Sequence, residues 1–224
     1  MARRGDELRD HILRTAKDVF LETGFERASM DTLAARASTS KRTLYAHFES
    51  KDKLFLAVVD LVRELYLDRL RTPGEYAEDS AEAVVLYCGR FLQMLLWEPT
   101  VRMCRLGIAE AERLPEATAR YYDAIFHSAH QRLADHIGEH YALPPADCTR
   151  IAHELVGHTI HPRFLRALFG TGQLITERPQ KASIAADVDL APVRAAVAAA
   201  LPPGRRPPGR SAHRPAGTLP GQNS

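Results

Sequence analysis

The sequence predicts an all-α protein, and three observations support that prediction. Apolar residues recur with the 3.6-residue period of a helix through most of residues 6–201. No segment alternates apolar and polar residues in the way that a half-buried strand does. Helix-ending residues such as Gly24 and the Pro73-Gly74 pair separate the periodic segments from one another.

The first four predicted helices are closely spaced. The apolar stripe of the first helix begins near Asp6 and ends at Gly24. A turn at Thr39-Ser40 should join the second helix to the third. Ser50 is the expected N-cap of the fourth helix. The second and third helices are predicted over 30–37 and 41–48.

The later helices are longer and more apolar, so we expect them to form the main core. Prolines mark the starts of several of them, as expected for the first turn of a helix. They are predicted over 80–97, 99–113, 115–141, 144–169 and 192–201, with a loop over 170–186. Pro162 should kink or split its helix, because proline removes a backbone hydrogen bond and clashes with the preceding turn.

The distribution of charge is more informative than the net charge of +2. From Pro202 to Ser224 the chain has four arginines, six prolines, four glycines and no acid, which predicts a disordered basic tail. Without that +4, residues 1–201 carry a net charge of −2, which excludes a uniformly basic nucleic-acid binder. Residues 36–53 nevertheless carry a local +3.

Composition excludes several other classes of protein. No apolar run approaches the length of a membrane span, and the N-terminus lacks the apolar segment of a signal peptide, so we expect a cytoplasmic protein. The three cysteines, Cys88, Cys104 and Cys148, are far apart and form no CxxC pair, which favours reduced core thiols over redox or metal chemistry. No cofactor is expected.

The segment from Gly24 to Lys53 resembles the N-terminal domain of the TetR family of bacterial transcriptional regulators. The resemblance depends on the pattern GF, A, LA, A, S and TLYxHFxxK, which runs from Gly24 to Lys51, with Lys53 and Leu54 as further matching residues. The glycine usual in the turn between the second and third helices is Ser38 here. A weaker resemblance, over residues 102–122, is to the C-terminal domain of one TetR subgroup.

The resemblance implies an all-helical homodimer with a three-helix DNA-binding head and a larger ligand-binding and dimerisation body. The corresponding expected boundaries are residues 6–52 for the helix-turn-helix domain, 53–201 for the body and 202–224 for the tail. The implied function is a repressor that leaves a palindromic operator when a small-molecule effector binds the body. The expected partners are therefore double-stranded DNA, an effector and a second copy of the chain, with no membrane.

The residues of the third helix independently indicate DNA binding. Leu44 and Phe48 lie four residues apart and should anchor the helix to the core. The opposite face then presents cations that can pair with guanine and a small alanine that can approach a thymine methyl group. The predicted DNA-binding residues are Lys41, Arg42, Thr43, Tyr45, Ala46, His47 and Lys51, of which Thr43, Tyr45, His47 and Lys51 suit phosphate contacts.

Aromatic and methionine side chains of the body are candidates for an effector pocket, since they suit an adaptable apolar cavity. Ordinary core packing is the alternative for each of them. The candidates are Phe91, Met94, Trp97, Met103, Tyr121, Tyr122 and Phe126, with His158 as a polar contact.

Seven histidines between His127 and His161 leave other interpretations open. Pairs such as His136 and His140 have the i,i+4 spacing that can chelate a metal from one helix face. No cysteine nearby completes a recognisable ligand set, so we predict neither a metal site nor catalytic residues. The alternatives are a DNA-binding regulator without a small-molecule effector and a histidine-dependent helical-bundle enzyme.

Overall fold

The computed structural model describes residues 2–202 and confirms the all-α fold. Within that range the only extended pairing is an isolated bridge between Trp97 and Ile175. No helix between residues 2 and 202 is both long and apolar enough to cross a bilayer. The predicted tail lies outside the described residues from position 203 onward.

Four helices at the N-terminus pack around a cluster of three phenylalanines. The rings of Phe20, Phe25 and Phe55 lie 5.2–5.7 Å apart, and each ring is almost completely buried. Phe55 meets the other two rings edge-to-face, whereas Phe20 and Phe25 stack, and aromatic contacts of both kinds add to the free energy gained from burial. The helices are α1 (Ala2–Thr23), α2 (Met30–Arg36), α3 (Lys41–Phe48) and α4 (Lys51–Leu67).

The remaining helices form the body, in which α5 is almost entirely buried. Helix α8 packs along α9, and α12 covers both α5 and α9. The body helices are α5 (Ser80–Leu95), α6 (Glu98–Ala109), α7 (Pro115–Tyr122), α8 (Ser128–His140), α9 (Pro145–Ile160), α10 (Arg163–Leu168), α11 (Ile184–Asp187) and α12 (Ala191–Ala200).

The structure corrects three of the predicted boundaries. The helix predicted over 115–141 is interrupted by a π-helical turn at Asp123–His127, where the Ser128 hydroxyl donates to the carbonyl of Asp123 at 3.0 Å. The helix predicted over 99–113 ends at Ala109. The predicted loop over 170–186 contains the start of α11.

The effect of Pro162 agrees with the prediction, because the helix predicted over 144–169 is split there into α9 and α10. The chain therefore changes direction at the end of α9. As a result α10 packs against α6 as well as against α9.

Candidate nucleic-acid interface and effector clefts

Helix α3 is attached to the head through one face only. Leu44 and Phe48 are buried in the core that α1, α2 and α4 share. The other face exposes Lys41, Arg42 and Ala46, together with Tyr45, which is 42% exposed. A helix held in this way can enter a DNA groove without a change in its own packing.

Serine N-caps begin both α3 and the helix that follows it, α4. The Ser40 hydroxyl accepts a hydrogen bond from the Thr43 amide at 3.0 Å, and the two hydroxyl oxygens lie 2.7 Å apart. At the other end the Ser50 hydroxyl accepts from the Lys53 amide at 3.1 Å and starts α4. Each such cap satisfies an amide that the helix leaves without a partner. Thr43 is therefore half-buried and bonded to its own cap before any DNA arrives.

The turn between α2 and α3 has the hydrogen bonds of a Schellman motif. The Thr39 amide donates to the Ala34 carbonyl at 2.9 Å, and the Ser38 amide donates to the Ala35 carbonyl at 3.1 Å. This motif requires a left-handed residue at the position that Ser38 occupies, and its φ is +49°. The substitution of serine for glycine therefore preserves the geometry of the turn.

Lys41 is paired with an acid on the neighbouring helix. Its ammonium lies 2.9 Å from the carboxylate of Asp31, which is in the first turn of α2. The hydrogen bond and the negative charge of Asp31 raise the pKa of Lys41. Because both side chains are largely exposed, the pair can exchange for a contact with DNA.

His47 and Lys51 face a different environment from Arg42. His47 is half-buried, with its ring centroid 6.0 Å from that of Phe48. The ammonium of Lys51 donates to the carbonyls of Phe25 and Ala28, both at 2.9 Å, and lies 4.3 Å from the centroid of the Phe25 ring.

Lys51 therefore stabilises the connection between α1 and α2 in the free protein. An ammonium has three donors, and two of them are used in short bonds to backbone carbonyls, with a longer one to Glu26 at 3.4 Å. A phosphate contact by Lys51, as expected from the sequence, would require some of these bonds to be exchanged. That contact stays a prediction.

The predicted effector residues are divided between two clefts. Met94, Trp97 and Met103 line a cleft of about 80 Å³ between α1, α4 and α6, which we call the head–body cleft. Tyr121, Tyr122 and Phe126 line a second one of about 300 Å³ between α6, α7 and α10, which we call the lateral cleft. The sequence placed these six residues in one pocket, and the structure does not bring them together.

Two of the predicted effector residues line neither cleft. Phe91 is fully buried and packs edge-on against Phe126, with ring centroids 6.1 Å apart. Its position is that of an ordinary core residue. His158 is exposed on the outer face of α9.

The histidines pair in a way that the sequence only partly indicates. The rings of His136 and His140 stack with centroids 4.2 Å apart, as their spacing suggests. His130 and His153 come from different helices, and their centroids are 4.4 Å apart, a contact that spacing along the chain cannot reveal. Burial lowers the pKa of both His130 and His136. Among residues 2–202, no group of three or more histidine, cysteine or acidic side chains is arranged to hold a metal.

Sequence reasoning missed the arginines beside the head–body cleft. Arg69 lines the cleft, and its guanidinium lies 5.2 Å from the centroid of the Trp97 ring. Arg90 is buried in α5, only 5% exposed. The available signal was Arg90 itself, the only cation in an otherwise apolar helix.

Two family models match the sequence over separate segments. Residues 12–58 match the model for bacterial regulatory proteins of the tetR family, and residues 82–192 match the model for the C-terminal domain of AefR-like transcriptional repressors. The first segment contains α2, α3 and the start of α4. The second contains most of the body, from α5 to the start of α12.

Similar curated proteins match over short segments of the chain. The chain is 48% identical over 54 residues to the transcriptional activator FasR of Mycolicibacterium smegmatis, which covers 24% of this chain and 25% of FasR. It is 40% identical over 67 residues to the transcriptional regulator UidR of Escherichia coli K12, which covers 30% of this chain and 34% of UidR. The matched segments thus span a quarter to a third of these relatives.

Similar solved structures extend over nearly the whole fold. A TetR-family regulator from Mesorhizobium loti matches with a TM-score of 0.71 and 24% identity, over 88% of this chain and 96% of that chain. The flavonoid-responsive regulator FrrA matches with a TM-score of 0.65 and 24% identity, over 87% of this chain and 97% of FrrA. At this identity the likeness shows the fold.

Proposed function

The chain belongs to the TetR family of bacterial transcriptional regulators, and we propose that it is a homodimeric repressor that a small-molecule effector releases from a palindromic operator. Its relatives are DNA-binding regulators and not enzymes. The proposal assigns DNA binding to residues 6–52 and effector binding and dimerisation to residues 53–201. The protein would act in the cytoplasm, where its DNA lies.

The exposed face of α3 is the observation that carries this proposal. Lys41 and Arg42 lie at the N-terminal end of the helix, which is the end that contacts base edges in helix-turn-helix proteins. Either cation can pair with guanine O6 and N7, and Ala46 is small enough to meet a thymine methyl group. Thr43, Tyr45, His47 and Lys51 are assigned to the phosphates beside them.

A homodimer follows from the small size of this reading surface. One helix of eight residues contacts too few bases to define a site, whereas two helices about 34–36 Å apart read a palindrome. We assign the dimer contact to the α9–α10 segment and to α12. Phe169, 82% exposed, follows α10, and Leu165 within it is 44% exposed, as expected for a surface that a second copy covers.

Contacts between head and body provide the route for release. Arg113, in the loop after α6, lies 3.6 Å from Glu26 and 4.8 Å from the centroid of the Phe25 ring. Arg120 of α7 lies 3.3 Å from Asp60 of α4. An effector that binds better when these elements are displaced would shift the dimer towards a spacing that no longer fits the operator.

The test compares bound sequences selected from a randomised DNA pool by the wild type, Arg42→Ala and Lys41→Ala. A bidentate arginine–guanine pair discriminates between bases by roughly 1–3 kcal/mol, so Arg42→Ala should relax the preference at one symmetric pair of positions. Arg63→Ala, an exposed arginine of α4, is the control and should leave every preference unchanged. If both α3 variants weaken binding equally for all sequences, the base-reading role of this face is wrong.

A further inference from the structure

One arginine lines the head–body cleft, and two others are near enough for their charge to act on it. They are Arg69 at the end of α4, Arg90 in α5 and Arg178 in the loop before α11. Within residues 2–202 none of them forms an ion pair, whereas the nearby Arg71 and Arg102 each pair with a glutamate. Arg178 is exposed, but Arg69 is half-buried and Arg90 is buried, and a cation without an ion-pair partner is costly to hold at such positions.

Arg90 is the most deeply buried of the three. Its Nη1 donates to the side-chain oxygen of Gln93 at 2.5 Å, and its Nε has no partner among the described residues. Gln93 in turn donates through its amide nitrogen to the carboxylate of Asp187 at 2.5 Å. Burial lowers the pKa of Arg90, while Tyr76, Tyr66 and the carboxylate of Asp187 act in the opposite direction. The Nε donor nevertheless stays unused.

Arg69 connects this charge to the cleft. Burial, followed by the positive charges of Arg178 and Arg90, lowers the pKa of Arg69, while Asp68 acts in the opposite direction. Its guanidinium stacks over Trp97, which lines the same cleft. Arg69 therefore lies at a point where positive charge meets an aromatic surface.

The walls of the cleft are mostly apolar, and the polar residues among them are Lys17, Tyr66, Arg69 and Thr100. Its walls include Leu21, Val62 and Leu65, in addition to Met94, Trp97 and Met103. Tyr66 also lines the cleft, and its hydroxyl is buried with no hydrogen-bond partner in the described part of the chain. A buried hydroxyl without a partner, in the wall of a cleft, is expected where a ligand or a water molecule supplies the missing acceptor.

We propose that the head–body cleft binds a small amphipathic anion, with its apolar or aromatic body beside Trp97 and the methionines and one carboxylate, sulfonate or phosphate facing Arg69, whose positive charge Arg90 and Arg178 reinforce from outside the cleft lining. The Tyr66 hydroxyl is the additional donor to that group. This inference rests on the proposed function, because it names the chemical class of the effector. It assigns the effector to this cleft and not to the lateral cleft, which has no cation in its lining.

The position of the cleft explains how such an anion would act on DNA binding. Leu21 and Lys17 belong to α1, and the opposite walls belong to α4 and α6. At about 80 Å³ the cleft is smaller than a typical ligand site, so a larger ligand must separate these helices in order to enter. Such a separation moves α1, and the head with it, relative to the body.

The test uses two fluorescent probes that differ by one sulfonate. The anionic probe is 8-anilinonaphthalene-1-sulfonate, and N-phenyl-1-naphthylamine is its neutral counterpart. Each is titrated against the full chain and against Arg69→Gln, Arg178→Gln and Tyr66→Phe, with Arg63→Gln as the control for loss of one positive charge from α4. Thermal unfolding of each variant verifies that it is folded, and Tyr66→Phe should be at least as stable as the wild type, because it removes a buried hydroxyl without a partner.

The wild type should bind the anionic probe about tenfold more tightly than the neutral one, since hydrogen bonds to charged groups are the stronger ones. Arg69→Gln should remove most of that difference, and Arg178→Gln and Tyr66→Phe should reduce it. Affinity for the neutral probe should stay unchanged, as should both affinities in Arg63→Gln. Equal affinity for the two probes, or equal loss in Arg69→Gln and Arg63→Gln, would overturn the inference.

Operator binding in the presence of the anionic probe separates this inference from the proposed function. Release of DNA that depends on Arg69 supports both. Arg69-dependent binding of the probe without release of DNA supports the anion site and contradicts the proposed route from this cleft to the head. Absence of Arg69-dependent binding overturns the anion site and leaves the α3 assignment as it stands.

Discussion

Replacement of Ser38 by glycine should stabilise the protein. Ser38 has a φ of +49° in the turn between α2 and α3, and its exposed side chain makes no hydrogen bond that would offset this conformation in the described residues. A left-handed conformation costs an L-residue roughly 1–2 kcal/mol, whereas glycine adopts it without a steric penalty. Glycine also loses more conformational entropy on folding, which lowers the gain in stability by roughly 0.5–1 kcal/mol. The midpoints of these two ranges differ by about 0.75 kcal/mol, which is the expected net increase in the free energy of unfolding.

Urea unfolding followed by circular dichroism at 222 nm measures this change. All variants must be compared at one protein concentration, because the stability of an oligomer depends on concentration. A gain of this size should also raise the melting temperature by about 2 °C in a chain of this length. Operator affinity should stay unchanged, since the backbone of the turn already has the geometry that glycine favours.

Two neighbouring variants show whether the backbone conformation is the cause. Ser38→Ala keeps the strained φ and removes the hydroxyl, so its stability should lie within about 0.5 kcal/mol of the wild type. Ser40→Ala removes the cap of α3 and should cost about 0.5–2 kcal/mol. The reasoning is refuted if Ser38→Gly is no more stable than the wild type, or if Ser38→Ala is stabilised to the same extent.

Three further predictions concern other parts of the chain. Lys51→Met should lower the free energy of unfolding by about 2 kcal/mol, because it removes charged hydrogen bonds to the carbonyls of Phe25 and Ala28. If the ammonium also contacts a phosphate, a folded Lys51→Ala variant should lower the slope of log affinity for DNA against log salt concentration by about one. An unchanged slope would contradict the phosphate contact. Burial raises the pKa of Cys88 to about 12 and that of Cys104 to about 11. At pH 8 both thiols should therefore resist iodoacetamide in the native protein and react after unfolding. Rapid labelling of the native protein, detected by mass spectrometry, would contradict their burial. Truncation after Leu201 should weaken non-specific DNA binding modestly and leave the ratio of specific to non-specific affinity unchanged. The reason is that the arginines beyond that point can add only sequence-independent attraction to DNA. A changed ratio in competition titrations would refute this prediction.

The helices and the reading face could be predicted because they depend on local patterns. The 3.6-residue period, the serine caps and the four-residue separation of Leu44 from Phe48 are present in the sequence itself. Pro162 likewise has a local effect, which is to end α9. The π-helical turn at Asp123–His127 has no comparable signal, because the apolar period continues through it.

Contacts between distant residues could not be predicted. The division of the effector candidates between two clefts depends on how α6 packs against α1 on one side and against α10 on the other. The bonds from Lys51 to the α1–α2 connection cross more than twenty residues of chain. Arg69, Arg90 and Arg178 are likewise far apart in sequence, so their proximity becomes visible only in the folded chain.

The central claim is that two copies of α3 read the two halves of one palindrome. Its most direct test is native mass spectrometry of the protein with a duplex that carries the sequence selected by the wild type. The account predicts an inverted repeat with half-site centres about 10 base pairs apart, or a multiple of that spacing, and an even number of chains on each duplex. A single chain on the full site, or a selected sequence without inverted symmetry, would contradict it.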